Sequence, residues 1–296
     1  MKKTLKLLGI IAFVSVFTLF VTACFSQTDE GGKILNSPEA LKEYLDNQQV
    51  NSPDKPIKVS IRANELMLPK IRDVLNSAGK YVSLSLTGNA LTTIAENAFY
   101  DEKTKKGCET LVGITIPNSV TRIRERAFFC CTSLTSVTIP DSVDIIGREA
   151  FFYCTSLKNV TIPSSVISIG EDAFSNCTGL ISVTIPNSVI GIGDWAFFGC
   201  TSLTSVTFAT GSNITNDNFG YAAFPEESSE KDRDTLKTAD SERVFYSPKI
   251  PYSERVFYSP PLFGKDKDTI KTAYSMGKAG TYTRTADGDT WTKTTP

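Results

Sequence analysis

Between Cys108 and Phe208 the apolar residues follow neither a helical period nor a simple alternation. They follow a period of 23. Cys108, Cys131, Cys154, Cys177 and Cys200 are spaced by that step, and Leu111, Leu134, Leu157, Leu180 and Leu203 keep it. Ile116, Val120, Ile123, Ala127 and Phe128 recur in the same register down to Ile185, Val189, Ile192, Ala196 and Phe197. Seven positions that hold one period over four units mark a repeat array, since periods of this size signal solenoids, propellers or arrays. The unit reads C-T-S-L-x-x-V-T-I-P-x-S-V-x-x-I-G-x-x-A-F-x-x. Within it V-T-I alternates and Pro then stops it, which predicts a short strand with one face inward. The rest lacks the spacing of a long helix and is read as turns plus a brief helical or 3₁₀ piece ending at Ala-Phe. No unit can bury its Leu, Val, Ile and Phe alone. Stacking the strands in parallel, roughly 4.8 Å apart, builds one continuous core.

The flanks are less regular. Leu84, Leu86, Ile94, Ala98 and Phe99 occupy repeat positions in a degenerate first unit, and Asp101 to Gly107 reads as a loop pushed out of the stack. Val206 and Phe208 form a last strand. A solenoid exposes core at both ends and needs caps. Before the repeats, Ser37-Pro38-Glu39 is a helix start, with Leu41, Tyr44 and Leu45 on one face. Ile57, Val59 and Ile61 alternate as a strand, and Leu66, Leu68, Ile71, Val74 and Leu75 suit a helix ending at Gly79. After the repeats, S-E-R-V-F-Y-S-P occurs twice, at Ser241–Pro248 and Ser253–Pro260. The first copy reads as an irregular duplicated insertion. A short helix from Asp268, then alternation on both sides of Asp287-Gly288 up to Lys293, predicts a closing hairpin.

The four units from Ile114 to Ser205 resemble the leucine-rich repeats of BspA-like bacterial surface proteins, particularly the treponemal 23-residue subclass. Ser119, Ser142, Ser165 and Ser188 depart from the general leucine-rich pattern, which has Asn or Cys after the strand. The resemblance implies an α/β fold, a leucine-rich-repeat solenoid with short parallel strands. An α/β N-terminal cap and a helix-hairpin C-terminal cap complete the expectation. It also implies adhesion, with partners that are host extracellular matrix proteins or other bacterial surfaces.

The start of the chain looks like an address. Lys2, Lys3 and Lys6 precede an uncharged run from Leu7 to Phe20, too short to span a bilayer comfortably and typical of a signal peptide. Val21-Thr22-Ala23-Cys24 resembles the lipobox of bacterial lipoproteins, which makes Cys24 the expected lipid attachment site and the mature N-terminus. Export follows, with a lipid anchor at the outer membrane and cell surface; the periplasmic face also fits. The expected layout is 1–23 signal peptide, 24–32 linker, 33–80 N-terminal cap, 81–224 solenoid, 225–264 insertion and 265–296 C-terminal cap.

Composition narrows the chemistry. The 296 residues carry 31 Lys+Arg against 32 Asp+Glu, so nothing points to nucleic acid. Histidine is absent, which removes Ser–His–Asp and Cys–His nucleophile systems and histidine metal ligands. The thiols lie one per rung, so they do not converge as zinc ligands do, and they read as a buried ladder of free cysteines. Cys130 lies outside that ladder, at a position expected to face outward. No cofactor is expected.

Candidate binding residues are those the repeat does not dictate. Arg122, Arg124 and Arg126 cluster in one unit, and Trp195 stands where other units have Arg126, Glu149 and Asp172, which places it on the surface. Thr138, Thr161 and Thr184 form an outward strip suited to a glycan or an extended chain, or merely to exposed strands. Ile167 and Ile190 form a small apolar patch. Phe245, Tyr246, Phe257 and Tyr258 are aromatic contacts in the duplicated segment. The leading reading is a non-catalytic surface lipoprotein that binds protein, with glycan as a further ligand class. An architectural envelope lipoprotein and a polysaccharide-acting enzyme using Glu171, Asp172 and Asp194 are the alternatives.

Overall fold

A computed structural model describes residues 28–29, 32–212, 214, 218–220, 223–224, 280–284 and 291–294. The signal segment, the duplicated insertion and the helix expected from Asp268 lie outside the described residues.

Repeat strands at 111–115, 136–138, 159–161, 182–185 and 205–208 run parallel along one face, one per rung. Pairing is in register at the 23-residue step, with Ser182 opposite Asn159 and Ser205 opposite Ser182. The hydrogen-bonded ladder is interrupted once, between 136–138 and 159–161, which close and open separate sheets.

A second row of parallel pairs was not foreseen. Thr93–Ile94, Arg122–Ile123, Ile145–Ile146, Ser168–Ile169 and Gly191–Ile192 form a five-stranded sheet from two-residue strands. Alternation over two residues leaves no sequence signal. Each rung is therefore a loop with a strand on two sides, and Gly170 shows why the unit carries I-G. A Cβ there would sit 2.6 Å from Arg148 N.

The expected helical piece at Ala-Phe is absent. In its place are turns closed by backbone bonds three residues back, such as Ala127 N to Arg124 O and Phe129 N to Arg126 O. Arg126 and Cys130 have positive φ, as do Glu149 and Tyr153 one rung on. These left-handed residues break any helix and turn alternate N–H groups toward the next rung. Arg126 N, Phe128 N and Cys130 N donate to Arg148 O, Ala150 O and Phe152 O.

Inside, every repeated apolar residue is buried. The phenylalanines stack as a column, with centroids 5.0 Å apart for Phe128–Phe151 and 5.1 Å for Phe151–Phe174, and the rings nearly parallel. The five ladder cysteines are free and buried. From Cys131 on, the ladder thiols donate to a phenylalanine carbonyl: Cys131 to Phe99 O at 3.7 Å, Cys154 to Phe128 O at 3.2 Å, Cys177 to Phe151 O at 3.2 Å, Cys200 to Phe174 O at 3.1 Å, whereas Cys108 lies against the Thr110 hydroxyl at 3.9 Å. The unit's serine acts similarly. Ser142 and Ser165 donate to Val120 O and Val143 O, both at 2.6 Å.

The N-terminal end is closed by α1 (Pro38–Asp46) and α2 (Leu68–Ala78), which flank the strand Ile57–Arg62. Ser37 caps α1 by accepting from Ala40 N at 3.1 Å, and Gly79 ends α2 in the left-handed region, φ 60°. Leu66 falls before α2 in a 3₁₀ turn and is 85% exposed, so it does not join the helical face. The strand Ile57–Arg62 pairs with Val82–Thr87, which pairs with the first regular rung. The segment after Phe99, expected as a loop pushed out of the stack, is closed by a small hairpin, Tyr100–Asp101 against Lys106–Gly107. At the other end Gly280–Arg284 lies antiparallel to Ser205–Phe208, and Trp291–Thr294 lies antiparallel to Gly280–Arg284. Tyr282 is fully buried against the last rung, edge-on to Phe208 at 5.7 Å.

Candidate functional site

The strand face is where the fold leaves the repeat uncovered. Val137, Val160 and Val183 point inward and are buried, so their neighbours must point outward. Thr115, Thr138, Thr161 and Thr184 are exposed, as are Ser136, Asn159 and Ser182. The registers align Thr138 with Thr115 and Thr184 with Thr161. Two outward rows result, one rung-spacing apart along each row.

The arginine group does not form a free basic patch. Arg126 turns inward, its Nε 2.5 Å from Glu149 Oε2, and its guanidinium lies 5.8 Å from the centre of the Phe129 ring. Glu149 is 0% exposed, and Arg148 Nε reaches its other oxygen at 3.2 Å. Arg122 stays exposed but leans to Asp144, 3.7 Å away on the next rung. Arg124 is exposed. Arginines of one rung thus meet acids of the next, and the cluster reads first as a clamp between rungs.

Trp195 is corrected outright. It is 8% exposed, with φ 54°. It shares a left-handed corner with Arg126, Glu149 and Asp172, and the chemical variety at that corner had suggested an exposed position. Variation there reflects a backbone requirement that several side chains meet. Cys130 is corrected in the same way. It is half-buried, in the left-handed region, and packs beside a second, smaller aromatic cluster of Tyr100, Phe129 and Phe152. Ile167 and Ile190 are exposed on adjacent rungs, 43% and 51%, with Ile190 N donating to Ile167 O. Cys24, Phe245, Tyr246, Phe257 and Tyr258 lie outside the described residues.

The acids proposed for catalysis are arranged as an edge of the solenoid. Asp172 is buried. Burial raises its carboxyl to about 7; the Ser175 hydroxyl opposes the rise, while Glu149 and Glu171 add to it. Glu171 lies 3.7 Å from Arg148. Among the described residues no group of three or more Cys, Asp or Glu could hold a metal ion, and no helix is long and apolar enough to cross a membrane. Burial pushes the Cys108 thiol up to about 11 and those of Cys131, Cys154 and Cys200 well above their ordinary value. Those groups are packing elements with a weak donor, far from nucleophiles.

The model of the BspA type leucine rich repeat region matches six copies over residues 92–228. This stretch is a BspA-type leucine-rich repeat region. Three solved structures are similar in part. A leucine-rich repeat protein from Bacteroides ovatus is 34% identical over 46% of this chain and 32% of its own, with a TM-score of 0.37. The T. pallidum Leucine Rich Repeat protein is 29% identical over 47% of this chain and 73% of its own, TM-score 0.39. A leucine rich cell surface protein from Faecalibacterium prausnitzii is 26% identical over 54% of this chain and 35% of its own, TM-score 0.38. The match spans about a third of the Bacteroides ovatus protein's length. No curated protein matches the chain. In the BspA-type region, sequence reasoning found the strand face and the core but missed the corner row, whose residues vary from rung to rung while the alanine after each is constant.

Proposed function

We propose that this chain is a non-catalytic lipoprotein displayed on a bacterial surface, tethered through Cys24, whose BspA-type repeats bind proteins of host matrix or of neighbouring cells. One observation carries the reading: the solenoid keeps its repeated side chains inside and leaves a continuous strand face exposed. Leucine-rich repeat domains generally mediate protein–protein interaction, and BspA-type proteins are typically surface or secreted proteins without catalysis. A rigid scaffold with a regular open face suits recognition. The lipobox-like end supports the tether, since several acyl chains hold a protein on a membrane.

The test has two arms. Residues 25–296, purified, should bind saturably to at least one member of a panel of matrix proteins and intact partner cells. Whole cells carrying the native chain should lose it to external protease, and Cys24→Ala should release it from the membrane fraction. A chain that binds nothing on the panel, or that protease cannot reach, ends the adhesion reading.

A further inference from the structure

We propose that the corner carrying Asp172 is a proton-controlled hinge in the solenoid. With the Asp172 carboxyl protonated, the outer half of this corner stays joined to the next rung; with it ionised, the two part there while the other rungs stay stacked.

This corner differs from its copies in what holds it. On the preceding rungs Tyr100, Phe129 and Phe152 form a cluster of their own beside the main core, with successive ring centres 4.7 and 4.8 Å apart. The 23-residue step puts Ser175 at the next place in that column. Contacts there are polar instead, and Asn176 Nδ2 donates to Ser175 Oγ at 3.1 Å. Among the described residues the buried polar and charged side chains are Glu149, Asp172, Ser175 and Asn176. All four sit on this corner or one rung before it. Opening its outer half therefore exposes little apolar surface, which is the condition for a local opening cheaper than unfolding. The inner half is held differently. Phe174 stacks between Phe151 and Phe197, so the ring column keeps the rung in place while the outer turn moves.

Charge supplies the control. Glu149 is paired with Arg126 and Arg148, and Arg148 also reaches Glu171. Among the described residues these ion pairs stop short of Asp172, whose hydrogen-bond partner is the Ser175 hydroxyl. On the following rung Asp172 N donates to Asp194 O, and the matching corner position holds Trp195 where a base would have paired the acid. Ionised, Asp172 becomes a third carboxylate beside Glu149 and Glu171, with Arg148 the guanidinium that faces it. Burial keeps its proton on up to about 7, against 3.8 for an ordinary carboxyl; the Ser175 hydroxyl opposes this, Glu149 and Glu171 add to it, and Arg148 opposes it least. An open corner returns the group to water and to its ordinary value. Below 3.8 closed and open forms both carry the proton. Between 3.8 and about 7 only the closed form does, so each unit of rising pH favours opening by about tenfold. Above that window both are ionised and the gain stops.

Backbone bonds across the corner report the opening. Asp172 N donates to Asp194 O at 2.9 Å and Asn176 N to Phe198 O at 2.6 Å. One rung earlier the equivalent bonds run from Glu149 N to Glu171 O and from Tyr153 N to Ser175 O, beside an ion-paired carboxylate and an aromatic ring. The test is amide hydrogen exchange of residues 25–296 followed by NMR from about pH 5 to about pH 7, with intrinsic exchange rates divided out. Protection of Asp172 and Asn176 should fall about tenfold per pH unit, while that of Glu149 and Tyr153 stays level. In Asp172→Asn all four should stay level. Asparagine accepts the left-handed backbone of this corner, φ 53°, so the variant keeps the fold. An equal fall at Glu149 and Tyr153 would overturn the hinge, since the proton would then act only on unfolding of the whole solenoid. A slope that survives in Asp172→Asn, or no slope in the parent, would overturn it as well.

Discussion

Two rows run the length of the solenoid two residues apart, and they obey opposite rules. Phe128, Phe151, Phe174 and Phe197 are identical on every rung. Arg126, Glu149, Asp172 and Trp195 differ on every rung. Burial does not separate them, since Glu149 is as enclosed as Phe151. The demand on each site does. A ring in the phenylalanine column is the wall of the rings above and below it, so its shape is fixed by copies of itself. The corner row must first supply a left-handed backbone, φ 51–54°. Its N–H then bonds the next rung, as Glu149 N does to Glu171 O. Side chains at the corner need only satisfy their immediate neighbours, and pairs such as Arg126 with Glu149 do so locally.

If the column is fixed by self-contact, removing one ring should be the most damaging single change. Phe151→Ala opens a gap between two stacked neighbours and should lose about 4 kcal/mol, in the range for buried aromatic truncation. Denaturant unfolding of residues 25–296 measures it. A loss below about 1 kcal/mol would mean that the column can collapse around the gap.

The next expected effect comes from the corner row and has a pH signature. Asp172 titrates near 7 when folded, above an ordinary carboxyl near 3.8. Below that ordinary value both folded and unfolded chains carry the proton. As pH rises from about 4 to about 7, the unfolded chain releases it while the fold retains it, and stability falls through that window. Asp172→Asn removes this dependence. At pH 8 the variant should be more stable than the parent by about 4 kcal/mol, the free energy of a shift from 3.8 to about 7. Near pH 4 the two should converge. Melting temperatures at both pH values decide it, and equal melting of parent and variant at pH 8 would place Asp172 in contact with solvent.

The contrast also explains how much of the molecule was readable in advance. The 23-residue period exposed the column, the strand face and the cysteine ladder, because each repeats one side chain for one physical reason. The two-residue strands such as Ser168–Ile169 were invisible, being too short for a period. The corner was misread for a deeper cause. Positive φ at Trp195 or Glu149 is invisible in residue type when no glycine marks it, and variety then looks like surface drift. The strand-face threonines were legible as exposed, but their continuation into Thr281 and Thr283 needed the register of the hairpin, which sequence alone does not fix.

Pairing along the corner gives a smaller effect. Arg126→Met leaves Glu149 with the Arg148 guanidinium, whose Nε lies 3.2 Å away. A buried carboxylate short of a partner should lower stability by about 2 kcal/mol. Adding Glu149→Met should restore much of that, because the unpaired charge is then gone. A double-mutant cycle measures the coupling. Additive losses would show that the two side chains act independently despite their 2.5 Å approach.

The cysteine ladder lies between the two rules and should give the smallest change. It repeats like the phenylalanines, yet its side chain is small and its contribution is one weak bond to a carbonyl. Cys154→Ala removes the thiol that reaches Phe128 O at 3.2 Å and leaves a cavity smaller than a methylene or two. The expected loss is about 1 kcal/mol. Burial raises the Cys154 thiol far above its ordinary value, so it should also resist a thiol reagent in the folded chain and react only as the chain opens. The half-buried Cys130 serves as the internal reference, since a reagent that enters the native fold should reach it first. Labelling of Cys154 as fast as Cys130 in native conditions would show that the rungs part locally without unfolding, and the ladder would then be a site of breathing where the column beside it holds firm.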